Sequence, residues 1–352
     1  MRTRVEAGWD PLNQAHPSKL RATAHLAHDE LCHDVGAQPL QMPFLIVRSR
    51  RRLYSLLWTE LKMQKWRIGD VTVTKIVELE TCGGAAWILP DAVPEACREI
   101  SWLKPDFMDE KGELKFSVHA LVIETKDQLI VVDTCVGNEK ERMPYKAWHH
   151  LQTTFLADFA AAGFDPADVD CVLCTHLHVD HVGWNTMLVD GKWVPTFPNA
   201  RYLIAKDEYD YFKRTDIAEF NQRVFNDSVA PIFKAELMDL VETDHRVNSE
   251  VALVPTVGHT PGHVSIRITS QSEQGLITGD FVHHPCQMAR LDWGSTADLD
   301  AQQADETRRQ VFADCAGTPT LVIGTHFAGA TAGHIVCDGD AYRLRPFKPE
   351  LV

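Results

Sequence analysis

The sequence predicts an α+β chain built as a four-layer αβ/βα sandwich, on three observations. Short apolar runs rich in β-branched residues recur along the chain, segments with three- and four-residue apolar spacing lie between them, and this arrangement occurs in two successive halves. Val71 to Glu78 and Ser117 to Asp133 read as strands, the second as a hairpin turning at Lys126-Asp127. Between them, Thr81 to Gly112 is a long excursion rich in Gly, Pro and Trp, which reads either as a lip over a site or as surface packing. Glu139 to Ala162 reads as a helix ended by Gly163, because Trp148, Leu151, Phe155, Leu156 and Phe159 follow helical steps. Arg201 to Ala205 is a strand, and Lys206 opens a helix running toward Arg214. Thr215 to Lys234, carrying Phe220, Phe225 and Phe233, is weakly periodic and reads as a second pocket wall or an inserted helix. Leu299 to Ala316 is a helix with a polar outer face, followed by a last apolar strand, Leu321 to Ile323.

The polar residues gather where these strands stop. Directly after the apolar stretch 169–174, the run Thr175-His176-Leu177-His178-Val179-Asp180-His181 puts three imidazoles and a carboxylate inside six residues. So dense a cluster would repel itself or sit half-desolvated unless a cation compensated it, and neutral imidazole with carboxylate suits zinc and neighbouring divalent ions. Gly258-His259-Thr260-Pro261-Gly262-His263 follows the run Val251 to Val257, Gly279-Asp280 follows Leu276-Ile277-Thr278, and Gly324-Thr325-His326 follows Leu321-Val322-Ile323. Rigid strands ending in exposed loops are where an α/β scaffold presents chemistry.

Through His176-Leu177-His178-Val179-Asp180-His181, then His259, Asp280 and His326 in that order, the chain resembles the metallo-β-lactamase-fold hydrolases over about residues 66 to 345. The Thr-Pro-Gly-His element and the Gly-Asp step look most like the glyoxalase II, N-acyl homoserine lactonase and methyl parathion hydrolase groups. The resemblance implies the same four-layer sandwich. It further implies that His176, His178 and His259 hold one metal, that Asp180, His181 and His326 hold a second, and that Asp280 bridges both. Zinc is the default for the two divalent ions, and a sulfur-free shell also accepts manganese, iron or cobalt. Two such cations lower the pKa of water from about 15.7 toward roughly 7 and polarise an electrophilic oxygen, so the expected reaction is hydrolysis. Asp180 is then the catalytic residue expected to handle protons, one oxygen on metal and the other toward water or leaving group.

The homoserine lactonases carry a Tyr three residues after the bridging Asp, where this chain has His283 followed by His284. That departure turns expectation away from an acyl-homoserine lactone. His283 reads equally as a catalytic donor to a carbonyl or phosphoryl oxygen and as a partner holding a ligand carboxylate. Trp184 beside the motif and the aromatics of both loops point to a small apolar or aromatic substrate with an ester, lactone or phosphotriester bond. The alternative is an iron-dependent oxygenase of the persulfide dioxygenase type, with one metal on the same scaffold.

Composition agrees with a soluble enzyme of this size: 352 residues, 45% hydrophobic and 24% charged. The formal net charge is −14; residues 1–62 carry nine Lys/Arg against six Asp/Glu, so the remainder is more acidic still and ill suited to nucleic acid. Nine scattered cysteines without framework spacing suit a reduced, cytoplasmic setting, and Cys171 and Cys174 lie in a strand that turns them to opposite faces, against a redox or zinc role. No apolar run has the length of a membrane span, a small molecule is the expected partner, and a homodimer stays open. Residues 1–62, with His16, His25, His28, His33 and the Arg50 to Arg52 cluster, read as a poorly ordered extension whose basic run is a solvated face. Residues 63–352 form the hydrolase-like domain, and Met63 reads as a candidate biological start.

Overall fold

The computed structural model describes residues 64–347. The expectations for residues 1–62 and for Met63 therefore lie outside the described residues.

Two mixed sheets face each other. The first has seven strands in the order β1 (Lys65–Ile68), β2 (Val71–Cys82), β3 (Lys115–Glu124), β4 (Leu129–Val132), β5 (Cys171–Leu173), β8 (Arg201–Ala205) and β9 (Met238–Val241). Its first four strands pair antiparallel, and β4, β5, β8 and β9 run parallel. The second has six: β10 (Val251–Pro255), β11 (Val264–Ser270), β12 (Glu273–Ile277), β13 (Leu321–Ile323), β14 (Ala332–Asp338) and β15 (Ala341–Pro346), with β12 and β13 its one parallel pair. A small hairpin, β6 (Thr186–Val189) with β7 (Lys192–Pro195), stands apart.

Alternation decides which layer each side chain joins. Val71, Val73, Leu121, Ile123, Ile130 and Val132 meet Ile266, Ile268, Ile277 and Ile323 in the seam between the sheets. The opposite face of the first sheet, including Ile76, Ala120, Val122 and Val131, packs on α1 (Phe155–Ala161) through Phe155 and Phe159, and on α2 (Lys206–Phe212) through Phe212. The outer face of the second sheet packs against residues 85–108 and the 15-residue helix Ala301–Cys315 through Phe312. Helix, sheet, sheet and helix make the predicted four layers. Cys171 joins the seam and Cys174 the outer cluster, as alternation required, and burial pushes both thiols well above the ordinary range.

Four expectations need correction or completion. The helix expected over 139–162 is confined to Phe155–Ala161. Residues 139–154 run irregularly because Pro144 supplies no amide hydrogen there and because Lys140 and Arg142, both fully buried, are drawn inward to Asp227 instead of facing water on a helix. Trp184 is core rather than pocket: it is buried, stacks on Phe155 with ring centroids 5.5 Å apart, and donates its indole N–H to Glu78 at 2.6 Å. Of the two readings of 81–112, packing accounts for most of the segment, since Leu89, Cys97, Leu103 and Phe107 are wholly buried, whereas Trp87 stands out 54% exposed. Residues 219–234 are an inserted, nearly continuous helical stretch, Glu219–Val224 and Ala230–Lys234 joined by one π turn over Phe225–Val229.

Candidate metal centre

The loops after β5, β10, β12 and β13 leave from neighbouring strand ends, and so the four sequence clusters converge. His176 Nε2 and His259 Nε2 lie 3.1 and 2.9 Å from His178 Nδ1. His326 Nε2 and His181 Nε2 are 3.2 Å apart, with Asp180 carboxylate oxygens 3.6 Å from the first and 3.7 Å from the second. Asp280 sits between the groups: its Oδ2 is 3.3 Å from His181 and 3.8 Å from both His176 and His259, and its Oδ1 is 3.1 Å from His326. All seven residues singled out as ligands are thus brought together. His283 joins them, its Nε2 3.4 Å from Asp280 Oδ2 and its ring parallel to His326 at 6.1 Å.

The orientation of each ring is set from behind. Asp298 accepts from His259 Nδ1–H at 2.8 Å, Asp133 from His181 Nδ1–H at 2.9 Å, and the Ser117 carbonyl from His326 Nδ1–H at 3.1 Å. Because these oxygens can only accept, the proton is fixed on Nδ1 and the Nε2 lone pair turns inward. Thr175 Oγ1 donates to Asp133 at 2.8 Å and so accepts from His176 Nδ1, with the same result. Burial pushes His176 and His259 far below the usual imidazole range and His178 to about 4, so these three present neutral imidazoles, the form that can ligate a metal. At His181 and His326 burial works the same way, but the carboxylates of Asp280, Asp133 and Asp180 around the first, and Asp280 and Asp180 around the second, outweigh it and draw positive charge in.

This donor set fits a pair of divalent cations. Lone pairs of three imidazoles face one another at about 3 Å in a site without thiolates. The buried Asp280 Oδ1 has no hydrogen-bond partner among the described residues. Such an arrangement is costly for protein atoms alone and favourable around a cation.

Other residues lock the loops together, and sequence reasoning missed them. Glu208, wholly buried at the head of α2, accepts from Leu177 N at 2.9 Å and Gly262 N at 3.0 Å, joining the two histidine-bearing loops; burial pushes its carboxyl up to about 7. His263 accepts from Asp280 N–H at 2.7 Å and donates from Nδ1 to the Thr256 carbonyl at 2.9 Å. Gly279 lies between them at φ +58°, and a Cβ there would come 2.5 Å from His263 Nε2. The available signals were Asp133 just past a strand and His263 inside the Thr-Pro-Gly-His element; Glu208 and Asp298 gave none.

An αβ/βα sandwich carrying two abutting groups of inward-facing His and Asp ligands at its strand ends defines a class of metal-binding scaffold. A family model of the metallo-beta-lactamase superfamily matches residues 115–326, and the chain belongs to that family. N-acyl homoserine lactonase AttM of Rhizobium radiobacter is 29% identical over 120 residues, covering 33% of this chain and 42% of the relative. An N-acyl homoserine lactonase of Bacillus cereus is 26% identical over 183 residues, 47% of this chain and 62% of its own. The chain thus spans less than two thirds of these curated relatives. Among solved structures, the hydrolase AbOPH in the beta lactamase superfamily matches with a TM-score of 0.68 at 22% identity, over 82% of this chain and 98% of its own. AidC, a dizinc quorum-quenching lactonase in complex with a product, matches with a TM-score of 0.67, also at 22% identity and with the same coverage. Both likenesses establish the fold. No helix among the described residues is long and apolar enough to cross a membrane.

Proposed function

We propose that the chain is a dinuclear metal-dependent hydrolase that cleaves an ester, lactone or phosphotriester bond of a small apolar or aromatic molecule. The observation that carries this reading is the pair of abutting ligand groups sharing one carboxylate, Asp280. His176, His178 and His259 would hold one cation, Asp180, His181 and His326 the other, and zinc is the ion that best suits this shell. Bound there, two cations supply Lewis acidity toward the electrophilic oxygen and make water acidic enough to attack at neutral pH.

The protein's own residues do the rest. Asp180 keeps 15% side-chain exposure against 5% for Asp280, which supports it as the carboxylate that passes a proton between the site and an entering or departing group. His283 is held neutral, pushed down to about 3 by burial, and its Nε2 faces Asp280. That approach favours His283 as the group that orients the bridging carboxylate, with its buried, unpaired Nδ1 left over. The lactonase names of the relatives keep a lactone in the substrate class, and His283 at the position of the lactonase Tyr keeps it from being narrowed to acyl-homoserine lactones.

The test is a hydrolysis screen over lactones, aryl esters, thioesters and phosphotriesters, run with metal analysis. Turnover that disappears with chelator and returns with zinc is the expected result. Oxygen uptake without hydrolysis, or turnover indifferent to chelator, overturns the proposal.

A further inference from the structure

One carboxylate fastens the turn that stands behind His181. Glu78 is the extra residue where strands β2 and β3 slip by one position, Val77 facing His119 and Leu79 facing Val118. A bulge of this kind re-aims a side chain, and here it holds a buried carboxylate on the outer face of the sheet, against Val136 and Trp184. Glu78 Oε2 accepts from Val136 N at 2.7 Å; its Oε1 accepts from Trp184 Nε1 at 2.6 Å and from Gly137 N and Thr153 Oγ1, both at 3.2 Å. All four donors are neutral, and an ionised group taken out of water among neutral partners is a costly arrangement.

What the four bonds hold is a turn that would not keep its shape unaided. Asp133 and Cys135 lie at φ +54° and +55°, left-handed backbone that side chains disfavour, and Gly137 lies at +80°. This turn is pressed against the segment that carries the histidine motif. Thr134 N donates to the His181 carbonyl, Gly183 N to the Cys135 carbonyl and Trp184 N to the Thr134 carbonyl, each at 2.7 Å. A Cβ on Gly183 would come 1.9 Å from the carbonyl carbon of Val136, so the two backbones touch.

The turn begins with Asp133. Its Oδ2 accepts from His181 Nδ1–H at 2.9 Å and from Thr175 Oγ1 at 2.8 Å, and its Oδ1 accepts from Thr175 N at 2.8 Å. Residues in left-handed backbone persist where their surroundings over-determine them. Glu78 supplies that constraint at one end of the turn, through Val136 and Gly137, and Asp133 passes it to His181 at the other. Through the Trp184 indole the same carboxylate also grips the chain just past His181.

We infer that Glu78 is a positioning residue for the second cation: its buried carboxylate holds the 133–137 turn so that Asp133 keeps the His181 Nε2 lone pair aimed at the position shared with Asp180 and His326. This rests on the dinuclear reading and extends it from the ligands to the group that sets one of them. The effect on the two cations is unequal. Asp133 bonds His181 directly but reaches the first cation only through Thr175 and His176, so a slack turn weakens the second more.

The test is the stepwise zinc affinity of the full chain, measured by competition with graded chelators; the second step is the one that His326→Ala abolishes. Glu78→Gln keeps the shape but sets an amide NH2, itself a donor, against donors. It is expected to weaken the second step roughly 10- to 100-fold, the range for a partner lost behind a ligand, and the first step by less. Trp184→Phe keeps a ring against Phe155 and removes only the indole N–H, so the same step should weaken roughly three- to tenfold; it decides the matter where the Gln variant does not fold. Thr153→Val removes a donor that belongs to neither the turn nor the motif, and both steps should stay within about twofold. A second step unmoved in Glu78→Gln or, if that variant does not fold, in Trp184→Phe, equal loss at both steps, or a loss in Thr153→Val as large as in Glu78→Gln overturns the inference while the two-cation reading stands. A wild type with a single zinc step removes both.

Discussion

The carboxylate of Asp298 makes a sharp test of how the centre is assembled. It is wholly buried, accepts from His259 Nδ1–H at 2.8 Å and from Ser295 N at 3.1 Å, and lies 3.9 Å from the buried guanidinium of Arg308. Asp298→Asn keeps the shape and one accepting oxygen but removes the negative charge that makes His259 a stronger donor to a cation. Charge-assisted hydrogen bonds are about twice as strong as neutral ones, and losing such a partner behind a ligand weakens metal affinity by roughly 10- to 100-fold, or about 1.4 to 2.7 kcal/mol. Of the seven candidate ligands, Asp298 hydrogen-bonds His259, so the loss should fall on the cation held by His176, His178 and His259. Competition titration with a graded zinc chelator resolves the two occupancies. The weaker step should shift by that amount while the other stays within about twofold, given the spread of such measurements. Equal weakening of both positions, or of neither, would refute the assignment of His259 to one cation and of Asp298 to His259.

Removing the shared ligand should behave differently: Asp280→Ala disturbs both positions at once, whereas His326→Ala mainly clears the one it shares with Asp180 and His181, and a metal count near two in the Asp280 variant contradicts this. Gly279→Ala forces a Cβ to within 2.5 Å of His263 Nε2 at φ +58°, and thermal denaturation should show a loss of roughly 1–3 kcal/mol, or several degrees in Tm; an unchanged Tm counts against the close approach. Lys75 is 2% exposed and burial brings its ammonium down from 10.5 to about 8, so the unfolded chain binds the extra proton between those values and stability rises with pH across that window. The gain is on the order of 3 kcal/mol and should vanish in Lys75→Met; parallel pH profiles of denaturation midpoint for the two proteins would refute it.

The centre was legible because its ligands stand immediately past strands, where an apolar run stops and a polar cluster begins, and local sequence records both. What stands behind the ligands was not legible, because those partners are remote: Asp133 reaches His181 from 48 residues away, Asp298 reaches His259 from 39, and Glu208 reaches Gly262 from 54. The sandwich was legible through two alternating halves. The error at 139–154 is instructive in physical terms. Trp148 and Leu151 keep helical spacing with Phe155 and Phe159, but only the last two are fully buried core; Trp148 is partly buried and packs against Tyr145 and Trp87, and buried ion pairing of Arg142 sets its loop. Trp184 failed the other way, since adjacency to the histidine motif suggested a pocket and a buried carboxylate, Glu78, claimed its N–H.

The most direct measurement is anomalous diffraction at the zinc edge from crystals of the full chain equilibrated with zinc. The account predicts two peaks per chain, roughly 3.5–4 Å apart as in other two-metal sites, one among His176, His178 and His259, the other among Asp180, His181 and His326, with Asp280 touching both. A single peak, or two that leave Asp280 unligated, would contradict it.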